Sequence, residues 1–150
     1  MPDNPIPVPV AEQSAVQRSV LEWLRLYTDL PDGVRRIEYE FLPADREGMA
    51  LTSVSGASKT RQFILGSYEA QYQYRVIYRT APNSDTARLT VDDALNTLAA
   101  WVEAQTALPT LPEGYTARKM ECTSLAAVQA VYEDGMMDSA VSFVFTYDKD

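Results

Sequence analysis

Polar and apolar side chains alternate almost without interruption from Tyr68 to Tyr78. Tyrosines recur on one side of this alternation, and glutamine, glutamate and arginine fill the other side. Because successive side chains of a β-strand point to opposite faces, a period of two indicates a strand. The pattern predicts a long strand with one aromatic face. Its rings need a covering layer, and its hydroxyl groups need hydrogen-bonding partners.

Two other segments repeat apolar residues at helical spacing. The first predicted helix begins at Ser14 and the second at Thr90, each with a possible capping-box partner three residues later. Each apolar stripe contains one tryptophan, Trp23 in the first and Trp101 in the second. We expect these tryptophans to anchor the helices to the sheet.

The remaining strands are less regular. They are predicted at residues 37–41, 49–54, 61–65 and 117–147, the last range being two or three strands broken near Asp134 and Gly135. The small polar residues 55–59 predict a loose connection. A turn at Gly66 and Ser67 predicts an antiparallel hairpin with the tyrosine strand. The order of elements predicts an α+β fold: a mainly antiparallel sheet with two amphipathic helices packed on one face.

Proline occurs at positions 2, 5, 7 and 9, which favours an extended arm without helix or ladder. We therefore divide the chain into an arm, residues 1–13, and a single α+β domain, residues 14–150. We expect a neighbouring chain to hold the arm. Its removal is then predicted to weaken assembly and to leave the melting of the domain nearly unchanged.

Composition limits the chemistry. The 13 basic and 21 acidic side chains give a formal net charge of −8, which repels nucleic-acid backbones and acidic membranes. Histidine is absent, and Cys122 is the single cysteine. The commonest metal ligand and general base are thus missing, so no catalytic, metal or cofactor site is predicted. Without a signal-peptide pattern or a long apolar run, a soluble, unexported protein is expected.

The predicted contacts are with other proteins. Basic residues in several strands form a band if those strands are adjacent, and such a band suits an acidic partner surface. Glu38 and Glu40 share one face of a predicted strand, and a surplus of tyrosine is common at interfaces. The basic residues are Arg35, Arg36, Arg75, Arg79, Arg118 and Lys119. The predicted interface residues are Pro5, Pro7, Pro9, Arg75, Arg79, Glu38, Glu40 and Tyr147.

Several segments together resemble small tail-completion proteins of long-tailed bacteriophages, the tail terminator or minor capsid proteins. They include residues 20–24 (VLEWL), 61–65 (RQFIL) and 98–103 (LAAWVE), with the tyrosine strand between the last two. The most specific is residues 108–115 (LPTLPEGY), which follow the second helix. The resemblance covers about residues 16–147, and the proline-rich arm departs from it.

The resemblance implies a structural virion protein without catalysis, made in the host cytoplasm and located in the tail or neck. It implies a homo-hexameric ring that ends growth of the tail tube and offers a surface to the head-tail connector protein. DNA would pass through the acidic lumen without specific binding, and no membrane is involved. The alternatives are a head-completion or neck connector subunit and, in a different class, a non-viral adaptor domain.

Overall fold

A computed structural model describes residues 6–150 of the chain. It contains two helices and six strands, joined mostly by short turns. The elements are β1 (Ile6–Pro7), α1 (Val10–Leu24), β2 (Ile37–Tyr39), β3 (Gly48–Gln62), β4 (Tyr68–Thr80), α2 (Asp85–Ala104), β5 (Tyr115–Val131) and β6 (Met137–Lys149).

All six strands belong to one sheet, in the order β1-β3-β4-β6-β5, with β2 also beside β3. The β2–β3 pair is parallel and the others are antiparallel. Side chains from α1 and α2 join one core on the tyrosine side of the sheet. The predicted α+β fold is therefore confirmed.

The aromatic strand is the centre of this core. β4 alternates as predicted, and every second residue from Tyr68 to Thr80 is buried. The four tyrosine hydroxyls have partners: the Tyr72 hydroxyl lies 2.5 Å from Ser53 Oγ, and the Tyr74 hydroxyl donates to Met120 Sδ at 3.1 Å. The hydroxyls of Tyr68 and Tyr78 donate to glutamate carboxylates. Burial and Glu47 together raise the pKa of Tyr78 to about 12.

Both helices begin earlier than predicted. α1 begins at Val10 and not at Ser14, because Pro9 holds an extended conformation directly before the first turn and Glu12 provides an acidic group within it. α2 begins at Asp85 and not at Thr90, because the Ser84 hydroxyl accepts a hydrogen bond from the Ala87 backbone at 3.1 Å. The predicted apolar stripes are otherwise found, with Trp23 and Trp101 packed at 5.1 Å between ring centroids.

Residues 55–59 are not a loose connection. They belong to β3, which contains a bulge between the pairs Ser53↔Tyr74 and Ala57↔Tyr72. Ser55 and Gly56 adopt positive φ values there, 63° and 69°. Glycine suits position 56 because its φ of 69° strains other residues, and an added Cβ would lie 2.8 Å from the end of the Gln13 side chain, where α1 approaches.

The proline-rich arm also differs from the prediction in its described part. Ile6 and Pro7 pair with Lys59 and Ser58 of the same chain, and the Val8 amide donates to the Ala57 carbonyl at 3.2 Å. The Val8 side chain is 4% exposed and belongs to the core. Within residues 6–9, Val8 buries its side chain against the sheet of its own chain, whereas Ile6, Pro7 and Pro9 are exposed, so the contact of the arm with a neighbouring chain stays a prediction.

From the sequence, loss of the arm is predicted to leave the melting of the domain nearly unchanged. The burial of Val8 leads to the opposite expectation. We expect Val8→Ala to lower the free energy of unfolding by about 2 kcal/mol, since two buried methyl groups are lost. Chemical denaturation measures the change. Ile6→Ala, at a position that is half exposed, is the matched control and is expected to change stability by less than about 0.5 kcal/mol. Equal effects of the two substitutions would contradict the docked arm.

Candidate functional site

The β3 side of the sheet is closed by the chain itself. β2 covers Met49–Leu51, and β1 covers Ser58 and Lys59. Between these strands, Glu40 Oε1 accepts from the Ser53 amide at 2.9 Å. The Gln13 side chain then bonds both the amide and the carbonyl of Ala57, at 2.7 and 2.6 Å. These side chains take the place of a neighbouring strand, which protects an edge that would otherwise bind other chains.

Proline in β1 also helps to protect the β3 side of the sheet from pairing with other chains. The backbone of Ile6 in β1 pairs with β3, and so does the amide of Val8 directly after β1, whereas Pro7 between them has no amide hydrogen to offer on the outer side. The prolines therefore make β1 a strand that pairs on one side only. This role needs no partner chain.

The other side of the sheet is open. Within the described residues, β5 pairs with β6 alone and is the last strand of the sheet on this side, and its Ala126 amide donates to Asn96 Oδ1 at 3.4 Å. Leu125 and Val131 on this strand are 78% and 73% exposed. An open edge with exposed apolar residues is a surface for adding another strand.

A second exposed surface is the β3–β4 turn. Phe63, Ile64 and Leu65 are consecutive there, and the side chains of Ile64 and Leu65 are almost completely exposed. The turn lies beyond Gln62 and Tyr68, whereas the β5–β6 turn lies at the opposite end of the sheet. A cluster of this kind on a protruding turn indicates contact with another molecule.

Arg79 of the predicted interface belongs to an internal ion pair. Its guanidinium donates to both Asp138 carboxylate oxygens, at 2.7 and 2.8 Å, and to the Pro43 carbonyl at 3.0 Å. The Tyr132 hydroxyl donates to Asp138 Oδ2 at 2.8 Å. Burial alone raises the pKa of Asp138, but the hydrogen bonds from Arg79 and Tyr132 and the charge of Arg79 outweigh it and lower the pKa.

We expect Asp138→Asn to lower the free energy of unfolding by about 2 kcal/mol at neutral pH, because Arg79 loses its ionised partner. Since the pKa of Asp138 is lower in the folded state, its stabilisation is complete above its ordinary pKa of about 3.9 and is lost as the pH falls through the folded value. Denaturation at several pH values should show the difference between variant and parent shrinking below about pH 4.

Asp85→Asn is the matched control, since it removes the carboxylate charge that pairs with another arginine, Arg88, at an exposed position. The Asp85 side chain is 95% exposed, and its contact with Arg88 is 2.6 Å. We expect a change below about 0.5 kcal/mol at every pH. A pH-independent effect of Asp138→Asn would contradict the role assigned to its charge.

The remaining predicted basic residues form no continuous band. β4, which carries Arg75 and Arg79, is separated from β5 by β6. Arg36 pairs with Glu38, Arg118 with Asp148 and Lys119 with Glu121, while Arg75 Nη1 donates to Gln129 at 3.0 Å. The predicted basic band is not formed, because the strands that carry these basic residues are not adjacent in the sheet.

The other predicted interface residues lie in separate places. Pro5 is outside the described residues, and Pro7 and Pro9 are exposed on the arm. Glu38 is half-buried beside Arg36, whereas Glu40 lies past the end of β2 with a φ of 56° and closes the β3 edge. The structure therefore does not bring the predicted interface residues together.

Tyr147, one of the predicted interface residues, lies in the core. Its hydroxyl donates to Glu12 Oε2 at 2.6 Å, and the hydroxyls of Tyr68 and Tyr115 donate to Glu12 Oε1. Glu12 is 5% exposed. Burial and the contact with Glu12 raise the pKa values of all three tyrosines.

Sequence reasoning missed Glu12. The available signal was its position four residues before Val16 and eight before Val20, on the apolar stripe of α1. A carboxylate on such a stripe must find donors in the core. The cluster that results ties the first helix to β4, β5 and β6.

Four further features of the described residues bear on function: possible metal ligands, the apolarity of the helices, the cysteine and a surface groove. Residues 6–150 contain no group of three or more histidine, cysteine, aspartate or glutamate side chains placed to hold a metal ion. Neither described helix is long and apolar enough to cross a bilayer. Cys122 is half-buried on β5, and burial raises the pKa of its thiol. A groove of about 260 Å³ beside α1 is lined by Ser14, Gln17, Arg18, Leu21 and Tyr39.

Comparison with known proteins finds similarity at the level of structure. No family model matches the chain, and no curated protein matches it. Among solved structures, the chain is similar to a chain of the virion of a native gene transfer agent particle. The two share a fold. The TM-score is 0.59 at 17% sequence identity, and the match covers 93% of this chain and 99% of the other.

Proposed function

We propose that the chain is a structural virion protein of a long-tailed bacteriophage, specifically a tail terminator. In this proposal, six copies form a ring on the last ring of the tail tube. The ring stops further growth of the tube and presents a surface to the head-tail connector protein. The protein is made in the host cytoplasm and resides in the tail or neck of the virion.

The observation that carries the proposal is the fold shared with a chain of a gene transfer agent virion, over nearly the full length of both. The resemblance of residues 108–115 and the preceding helix to tail-completion proteins supports the same class. The shared fold and the motif resemblance are separate observations, because the first compares backbones and the second compares short sequence motifs.

The surfaces described above suit a protein that acts through contacts. One edge of the sheet is closed and the other is open, so neighbouring copies are offered two different sides. Head-to-tail contacts between unlike sides generate rings when the rotation closes. The apolar turn at residues 63–65 lies at one end of the sheet and suits an axial contact with the tail tube protein. We propose that DNA passes the ring without specific binding, because the chain carries a net charge of −8.

Deletion of the gene from the phage tests this role. We expect particles whose tails are overlong and variable in length, since nothing stops the tube, and complementation with the intact gene should restore one length. Electron micrographs of negatively stained lysates give the distribution. Tails of normal length that lack heads would favour the connector alternative instead. Unchanged infectious particles would overturn the proposal and favour a non-viral adaptor.

A further inference from the structure

Residues 6–9 are held against β3 by few contacts. β1 pairs with residues 58–59 of β3, and the Val8 amide directly after β1 donates to the Ala57 carbonyl at 3.2 Å. The Val8 side chain is buried in the core, whereas the other three residues of the segment are exposed. A terminal segment with one buried side chain opens more easily than a strand in the middle of a sheet, because few contacts are lost.

Release of this segment leaves few polar groups of the remaining chain without partners. The Ala57 carbonyl also accepts from Gln13 Nε2 at 2.6 Å, so it keeps a hydrogen bond when the Val8 amide leaves. Residues 58–59 are only half-buried, so water reaches them. α1 receives no side-chain hydrogen bond from Pro9, so the start of the helix does not depend on the docked segment. Polar groups without partners oppose local opening, and few arise here.

The part of β3 under the segment, residues 57–59, determines what can bind there, and we call it the acceptor strip. Its Ala57 carbonyl accepts one amide, and the core accepts the β-branched apolar side chain of the residue that donates this amide. The residues on both sides of the donor are Pro7 and Pro9, which have no amide hydrogen. Proline also holds a free segment extended, which reduces the entropy lost on binding. The ligand that fits is therefore an extended segment with a β-branched apolar residue between two prolines.

We propose that the acceptor strip is a strand-binding site and that residues 6–9 are its built-in cover. An extended segment of a partner protein, with a β-branched apolar residue between two prolines, displaces the cover and pairs antiparallel with the strip. The partner is a different protein, because a second copy brings an arm that is docked on its own β3. Since residues 6–9 are tethered beside the strip, they compete at a high effective concentration and keep the site closed in the free protein. This inference does not rest on the proposed ring.

Fluorescence anisotropy with a labelled peptide of residues 4–11 tests the site in the full chain, with Val8→Asp as the variant that releases the cover. A carboxylate at position 8 is costly to bury, so the cover leaves the strip. We expect the peptide to bind Val8→Asp about 10-fold more tightly than it binds the parent protein, in which the open form is a minor fraction.

Ile6→Asp is the matched control, since it places the same charge at a half-exposed position of the same segment. It should bind the peptide as weakly as the parent protein does. A peptide that itself carries Val8→Asp should bind none of the three proteins. Circular dichroism and melting establish that both variants are folded.

Hydrogen exchange of the parent protein, followed by NMR, measures the opening without any variant. We expect the Val8 amide to exchange faster than the amides of β4, at a rate that low concentrations of denaturant barely change, because the opening exposes little surface. Exchange of the Val8 amide as slow as that of β4, or equal peptide binding by the parent and Val8→Asp, would overturn the proposal. Mixed dimers of the parent and Val8→Asp in sedimentation velocity would assign the strip to a second copy and overturn it as well.

Discussion

Glu12→Ala is expected to lower the free energy of unfolding by about 3–5 kcal/mol. The hydroxyls of Tyr68, Tyr115 and Tyr147 all donate to the Glu12 carboxylate, which is 5% exposed. Alanine leaves these donors without an acceptor in a place that water barely reaches, and each such loss costs about 1–3 kcal/mol. Chemical denaturation followed by circular dichroism measures the change.

Glu22→Ala is the control for this experiment. Glu22 lies on the same helix but is exposed, so its loss should change stability by less than about 0.5 kcal/mol. Glu12→Gln keeps one acceptor oxygen and is expected to fall between the two variants. A double-mutant cycle with Tyr147→Phe measures the interaction energy between Glu12 and Tyr147 apart from their other contacts. If Glu12→Ala cost no more than Glu22→Ala, the cluster would not hold the helix to the sheet.

Trp23→Ala is expected to cost about 3–5 kcal/mol as well, for a different reason. The Trp23 ring is 5% exposed and packs against Trp101, and its indole donates to the Ala107 carbonyl at 2.8 Å. Truncation removes a large buried area and leaves a cavity between α1, α2 and the loop after α2. The midpoint of urea denaturation, at an unchanged slope, measures the loss.

Two neighbouring variants calibrate that result. Trp101 is only half-buried, so Trp101→Ala should cost less than Trp23→Ala. Leu26, two residues after the end of α1, is 65% exposed, and Leu26→Ala should be nearly neutral. If Trp23→Ala were as mild as Leu26→Ala, the tryptophan pair would not anchor α1 and α2 to each other.

Local patterns were sufficient to predict the sheet core. The alternation of β4 is visible in the sequence because burial on one face of a strand repeats every second residue. The β3–β4 hairpin and the break between β5 and β6 are visible for a similar reason, since turn residues interrupt the apolar pattern at each. The predicted strand at residues 61–65 is wrong for residues 63–65, because β3 ends at Gln62 and these residues lie in the turn. These features depend on residues close together along the chain.

Features that depend on distant residues were missed. Glu12 meets tyrosines that are 56, 103 and 135 positions away, so nothing near it in the sequence announces its partners. The bulge at Gly56 is held by Gln13, 44 positions from its partner Ala57. Small residues at positions 55–59 are typical of a loop, but in this chain they allow α1 to approach β3 closely. The sequence alone does not distinguish the two cases.

The candidate interface was the least predictable part. Arginine on a strand predicts an exposed face, yet Arg79 is held by Asp138 in an ion pair that only the β4–β6 register creates. The arm prolines suggested a free segment, whereas Pro7 belongs to a strand that pairs on one side. The open β5 edge was not recognised, because which strand lies at an edge is a property of topology and not of local sequence.

We propose that this chain works as a structural part of a tailed particle. Electron cryomicroscopy of purified virions tests it most directly, by locating the chain in the density. We expect six copies in one layer at the head-proximal end of the tail tube. A complete virion from which the chain is absent would contradict it.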